Sequence, residues 1–208
     1  KFSSNELRFL LLERYLTPIL FLIALLSLMV LLRAVLMKIA NRGMKNVTLL
    51  GFVILFGVFR FIQYRFHIPG DIYSLEVFGP LPFAKSAWLP SLGDVFLNTM
   101  IILFLIVQFN RDFTFPHILV SRKSNSNAIF IIITTIILTG FYLYTHYILS
   151  NLILHSTINF ETFKVARLNV YSLIGLLIIA MQFAALLLLT NKMLSVCSSS
   201  FKYDRLII

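Results

Sequence analysis

The 208-residue chain is far more apolar than a soluble domain, since 59% of its residues are hydrophobic and 12% are charged, against roughly 45–50% and about 25% in soluble proteins. Its formal net charge is +10, but no RNA-binding or zinc-finger pattern accompanies the cations, most of which flank apolar runs where lipid headgroups lie. The composition excludes an ordinary soluble domain, argues against a nucleic-acid partner and indicates membrane lipids as the surroundings of the chain.

Five apolar runs follow one another along the chain, each close to the roughly 20 residues that a membrane-spanning helix needs. They predict an all-α, polytopic transmembrane helix bundle with spans at residues 16–36, 47–66, 92–109, 128–147 and 170–190. Even the longest connection, residues 67–91, is too short to build a core of its own. We therefore expect one transmembrane domain over residues 1–208.

The third span is the shortest, and its start carries a helix-capping pattern. Ser91 follows Pro90 and precedes the apolar run, and Asp94 stands three residues after it, where a capping box places its acidic residue. This pattern predicts that the helix begins next to Ser91.

The loops and ends of the chain carry further signals. Residues 1–15 mix apolar and charged residues, which predicts a short amphipathic lead-in to the first span, and residues 73–91 and 158–166 predict short interfacial segments in the outer loops. Residues 195–205 are polar and basic and are expected to carry the chain out of the bilayer. Because the first residue is Lys1 and neither end resembles a natural terminus, we expect a segment of a longer protein.

Five spans place the two termini on opposite sides of the membrane. The Lys and Arg residues can therefore be counted separately for each side. Ten Lys and Arg fall on the side of the C-terminus and eight on the other. The positive-inside rule therefore favours a cytoplasmic C-terminus and an outer N-terminus.

Arg60 and Asp94 are charged residues near the outer ends of the second and third spans. An ionisable group in a membrane segment is costly and is a functional candidate by default. A contact between the two would join these helices. Alternatively, Arg60 extends to the headgroups and Asp94 caps its own helix.

Asn98 in the third span and Gln182 in the fifth are candidate interhelical polar contacts, because amides in membrane helices commonly hydrogen-bond a neighbouring helix. Gln108 belongs to the same class. Ala180 and Ala184, with Gly175 nearby, form a small-residue pattern that is able to pack closely against another helix.

No pattern in the chain predicts a catalytic, cofactor or metal site. The four histidines are scattered, Cys197 is the only cysteine, and no phosphate-binding loop or nucleophile elbow occurs. A transporter or channel module remains the alternative to a signalling role, although such modules favour helices broken by Gly or Pro and charges near the midplane.

Two stretches resemble the membrane region of multi-spanning sensor histidine kinases of the Bacteroidetes type. They are the outer-loop sequence Trp-Leu-Pro-Ser-Leu-Gly-Asp at residues 88–94, and Ile-Asn-Phe-Glu at residues 158–161, leading through residues 168–180 into the fifth span. The resemblance covers residues 73–190, and the first two helices match it in character only.

The resemblance implies a transmembrane sensing and signal-transmission region whose parent protein is an ATP-dependent protein histidine kinase of the bacterial inner membrane. That parent would carry a cytoplasmic phosphoacceptor helix pair and a kinase domain binding ATP and Mg²⁺, form a homodimer through the kinase, and pass phosphate to a response regulator. None of the four histidines here lies in a phosphoacceptor motif, so the kinase itself is expected outside this chain.

Overall fold

The computed structural model describes residues 4–39, 45–68, 70–73, 75–79, 91–113, 124–154 and 170–205, and every regular element within these ranges is a helix. The elements are α1 (Ser4–Ile39), α2 (Lys45–Phe66), α3 (Gly70–Tyr73), a 3-10 turn (Glu76–Phe78), α4 (Leu92–Asp112), α5 (Ser124–Leu154) and α6 (Val170–Arg205).

Five of these helices are long and apolar enough to cross a membrane. The apolar stretches are Leu16–Val35, Lys45–Phe66, Leu92–Asp112, Ile131–Leu154 and Val170–Ser195. Large apolar side chains point outward along them, as on Leu187, which is 70% exposed, and such a surface is stable in lipid but not in water. The predicted all-α bundle with five spans is confirmed.

The helices extend beyond the apolar runs that predicted them. The expected lead-in of residues 1–15 is helical from Ser4 and continuous with α1, and residues 195–205 continue α6 to Arg205. Hydropathy marks where a helix lies in hydrocarbon, whereas backbone hydrogen bonding continues through polar residues in water. The predicted interfacial segment at residues 158–166 lies outside the described residues.

The chain contacts cluster in two compact units, Lys1–Gly79 and Pro80–Ile208, so the single domain expected from the sequence stays a prediction. In the first unit, α1 packs against α2 and α3. The buried residues of α2 recur at helical spacings of three, four and seven along one face: Leu49, Phe52, Phe56 and Gln63.

The end of α2 is followed by a turn with an unusual backbone. His67 has a φ of 50°, the left-handed conformation that often terminates a helix but is uncommon for a residue with a side chain. Its ring meets Tyr73 edge-on at 5.2 Å between centroids, and Tyr73 lies 4.9 Å from Phe78. These aromatic contacts hold α3 and the 3-10 turn beside the end of α2.

In the second unit, α6 packs against both α4 and α5. A buried cluster joins Ile106 of α4 to Ala185, Leu189 and Met193 of α6, and Leu138 and Phe141 of α5 pack against it. α4 begins as predicted, because the Ser91 hydroxyl accepts from the Asp94 backbone N–H at 3.1 Å and donates to Asp94 Oδ2 at 2.7 Å. The third span ends at Asp112, three residues later than expected.

Candidate functional site

A buried amide joins three helices of the second unit. Gln182 of α6 is 0% exposed. Its Nε2 donates to Thr99 Oγ1 of α4 at 3.1 Å, and its Oε1 accepts from Thr145 Oγ1 of α5 at 3.4 Å. We call Thr99, Thr145 and Gln182 the three-helix polar contact.

The position of Gln182 follows from the helical period of α6. Its neighbours on the buried face recur every three or four residues, so one continuous stripe faces α4 and α5. The stripe consists of Ser172, Gly175, Ile178, Gln182, Ala185, Leu189 and Met193. Gly175 therefore shares the face of Gln182, as the sequence suggested, whereas Ala180 is exposed.

Two contacts fix α4 and α6 in a parallel register. Thr99 meets Gln182 83 positions further along the chain, and Lys192 meets Asn110 at a separation of 82. α5 runs antiparallel to α6, because Phe141, which precedes Thr145, packs beside the cluster containing Ala185, which follows Gln182. The polar contact is thus set by helix register over long sequence separations.

Lys192 makes the second tie between α4 and α6. Its Nζ donates to the Asn110 carbonyl at 2.8 Å. Asn110 lies in the last turn of α4, where carbonyl groups have no partner within the helix, and a cation there also meets the negative end of the helix dipole. Lys192 of α6 therefore supplies a hydrogen-bond donor to a carbonyl group at the C-terminal end of α4.

The three-helix polar contact consists of neutral hydroxyl and amide groups that join the helices by hydrogen bonding. Interhelical hydrogen bonds in membranes contribute about 0.6 kcal/mol each on average and up to about 1.7 kcal/mol. Two such bonds favour one arrangement of the three helices, but their energy is small enough for the helices to leave that arrangement. The contact is suited to positioning helices.

Two further amides contribute buried polar atoms. Gln108 Oε1 and Asn151 Nδ2 are buried and have no hydrogen-bond partner within the described part of the chain. A buried polar atom without a partner costs about 1–3 kcal/mol. Gln108 and Asn151 therefore carry a desolvation cost in the second unit that offsets part of the stabilisation at Gln182.

The other candidates from the sequence lie as follows. Arg60 of α2 is half-buried, and its Nη1 donates to Gln63 Oε1 at 3.0 Å. Asp94 is buried at the start of α4 beside Ser91. Asn98 is half-buried, next to Thr99 in sequence. Arg60 and Asp94 belong to different units, and their contact stays a prediction.

A double-mutant cycle tests the predicted contact between Arg60 and Asp94. If the two charges interact, Arg60→Ala and Asp94→Ala will show a coupling free energy above about 0.5 kcal/mol, measured from unfolding in lipid bicelles. The cycle cancels the loss of the bond between Ser91 and Asp94. Arg65→Ala, which removes an exposed cation from the same helix, provides the control, and additivity of the Arg60 and Asp94 changes would refute the pair.

The sequence pattern marks Gln182 as a candidate but not Thr99 or Thr145. Threonine is common in membrane helices and often bonds its own backbone, as Thr135 does by donating to the Ile131 carbonyl at 2.9 Å. Thr99 lies one turn after Val95 on the apolar face of α4, which is a signal for burial. This position does not identify the partner of Thr99.

In the part of the chain that the structure describes, no group of three or more His, Cys, Asp or Glu side chains is placed to hold a metal ion. Comparison with known proteins found no matching family model, no matching curated protein and no matching solved structure. The fold and the buried contact define a polytopic helical membrane protein whose fourth to sixth helices are joined by polar side chains.

Proposed function

We propose that this chain is the transmembrane sensing and signal-transmission region of a two-component sensor histidine kinase in the bacterial inner membrane, with its N-terminus outside and its C-terminus in the cytoplasm. The observation that carries the proposal is α6, a continuous helix from Val170 to Arg205 whose apolar part ends at Ser195. The resemblance of residues 73–190 to such kinases supports the same function.

The length of α6 suits an output rod. Its 36 residues span about 54 Å at 1.5 Å per residue, while the hydrocarbon core of a bilayer is about 30 Å thick. The ten residues after Ser195 extend the helix by about 15 Å beyond the apolar part. An unbroken helix transmits rotation and translation along its axis, so motion within the bundle would reach a domain joined to its C-terminal end.

The two hydrogen bonds between α4 and α6 would pass motion of α4 on to α6. Thr99 and Asn110, the two positions where α4 bonds α6, are 11 residues apart, or about 16 Å along the axis. A helix held at two levels cannot tilt or slide without moving its partner or breaking a bond. A stimulus that displaces α4 at its outer end, near Ser91, would therefore shift α6.

The proposed switch needs two arrangements of the bundle that differ by a few kcal/mol, so that a ligand or a change in lipid packing can bias them. The free energy of breaking and re-forming the hydrogen bonds at Gln182 lies within this range of a few kcal/mol. The proposed parent protein supplies the ATP- and Mg²⁺-binding kinase domain, and a response regulator is its downstream partner.

A chimaera tests the output rod directly. The phosphoacceptor helix pair and ATP-binding domain of a well-behaved histidine kinase are joined after Arg205, and one to seven alanines are inserted after Ser195. Each insertion rotates the downstream helix by about 100°. We expect autophosphorylation in membranes to rise and fall with a period of about 3.6 residues, because signalling depends on the phase of α6.

The control series replaces the alanines with an equally long Gly-Ser segment, which breaks the rod and should abolish the periodicity. Kinase activity that is unaffected by insertion length would overturn the output role of α6. Solute flux through proteoliposomes of the unmodified chain would instead favour a transporter or channel module.

A further inference from the structure

Asn151 is a buried amide three residues before the end of α5 at Leu154. Its side chain is 3% exposed, and its Nδ2 has no hydrogen-bond partner within the described part of the chain. Thr135 of the same helix, by contrast, donates to the Ile131 carbonyl. An amide nitrogen carries two N–H donors, and burying them without an acceptor costs free energy. Asn151 therefore requires an acceptor that α4, α5 and α6 do not supply.

Asn151 lies at the level of a glycine on the neighbouring helix. It follows Thr145 by six residues, or about 9 Å along α5 from the three-helix polar contact. Because α5 and α6 are antiparallel, the same direction leads along α6 from Gln182 back to Gly175, over about 10–11 Å. Gly175 belongs to the buried stripe of α6. At the level of Asn151, that stripe therefore contributes no side chain to the interface.

Further polar side chains are buried toward this end of the second unit. Ser91 and Asp94 at the start of α4 and Ser172 near the start of α6 are each between 1% and 2% exposed. α4 is parallel to α6, so Asp94, five residues before Thr99, lies about 7–8 Å from the polar contact in the same direction as Asn151. The buried interior is thus more polar here than around the apolar cluster of α4 and α6.

We propose that water from the outer side enters a crevice between α5 and α6 as far as Asn151, where an ordered water accepts a hydrogen bond from Nδ2. Lipid tails offer no acceptor, whereas water accepts and donates and commonly satisfies buried polar groups that lack a protein partner.

The path to Asn151 is short, because the end of α5 is about 4–5 Å away along the helix. Ile148, one turn further in and 0% exposed, closes the crevice. Water then stands within about 9 Å of the three-helix polar contact. The inference does not rest on the signalling function, because it concerns only the hydration of the helix interface.

Cysteine reactivity in bicelles tests the crevice. The small, neutral reagent methyl methanethiosulfonate enters both lipid and water, but it reacts with the thiolate, which forms where water solvates the sulfur. In full-length chain carrying Cys197→Ser, Asn151→Cys should react at least about ten times faster than Ile148→Cys and Ile136→Cys. Ile148 is fully buried, and Ile136 is 65% exposed on the lipid-facing surface of α5.

The comparison with Ile136→Cys separates hydration from simple access, because the reagent reaches both positions. Arg65→Cys, at an exposed position in the last turn of α2, gives the rate of a thiol in contact with water. Asn151→Cys reacting no faster than Ile148→Cys and Ile136→Cys overturns the crevice.

Asn151→Leu provides a second test that needs no cysteine at the site. Leucine has a similar volume and no N–H donors. If Nδ2 is dry and unsatisfied, its removal raises the ratio of folded to unfolded protein about 5- to 150-fold. If water satisfies Nδ2, as we expect, the ratio stays within about fivefold or falls.

Steric trapping in bicelles measures this ratio, and a rise above about fivefold refutes the crevice. Ile148→Val is the matched control at the neighbouring buried position. It should lower the ratio about 2- to 12-fold, which shows that the measurement resolves changes at this interface.

Discussion

Replacing Gln182 with alanine is expected to lower the free energy of unfolding by about 2–4 kcal/mol. The change removes the hydrogen bonds to Thr99 and Thr145 and leaves a cavity where a fully buried side chain stood, and both terms are destabilising. Steric trapping or denaturant titration in bicelles measures the loss.

Gln182→Leu separates the two terms because leucine keeps most of the volume and none of the hydrogen bonds. Its expected cost is about 1 kcal/mol, with Thr99 and Thr145 free to bond the carbonyls of their own helices. If Gln182→Leu destabilises as much as Gln182→Ala, no cavity term contributes and the side chain of Gln182 is not tightly packed. If neither variant has an effect, the three-helix polar contact does not hold the bundle.

Phe52→Ala is expected to have the larger effect, a loss of about 3–5 kcal/mol from the first unit. Phe52 of α2 is 0% exposed, and its ring stacks on Phe56 with 6.3 Å between centroids. Truncating a fully buried aromatic side chain forfeits its packing and leaves a void that the surrounding helices fill only in part. The measurement is the unfolding free energy, with protease sensitivity of α1 and α2 as a second readout.

Phe61→Ala is the matched control on the same helix. Phe61 is 66% exposed, so its ring exchanges contact with lipid tails in both the folded and the unfolded state. We expect less than about 0.5 kcal/mol of change, the usual range for a surface substitution. Equal losses for Phe52→Ala and Phe61→Ala would mean that α2 does not bury the face described above.

The spans were predictable from the sequence because the bilayer imposes one requirement on every one of them, a run of about 20 apolar residues. Helix ends were less predictable, as α6 shows. Its apolar part ends at Ser195, but serine and lysine are tolerated in a helix exposed to water, so the helix continues to Arg205. The start of α4 was an exception, because Ser91 carries a local capping signal.

The polar contact was only half predictable. Burial of an amide in lipid marks Gln182 as a residue that needs a partner, but Thr99 and Thr145 are 83 and 37 residues away in sequence. Their identity depends on how far each helix is shifted along its neighbour, which no local pattern encodes. The same limit applies to the small residues. The helical period places Gly175 on the buried face of Gln182, and Ala180 on the opposite, exposed face.

The bonds between α4 and α6 also constrain how the protein is made. Ribosomes add roughly 5–20 residues per second, and 83 residues separate Thr99 from Gln182. Thr99 is therefore synthesised about 4–17 seconds before Gln182, its hydrogen-bond partner on α6. During that interval Thr99 and the Asn110 carbonyl lack their partners on α6. The order of synthesis thus makes the arrival of α6 the step that completes the polar contact between these helices.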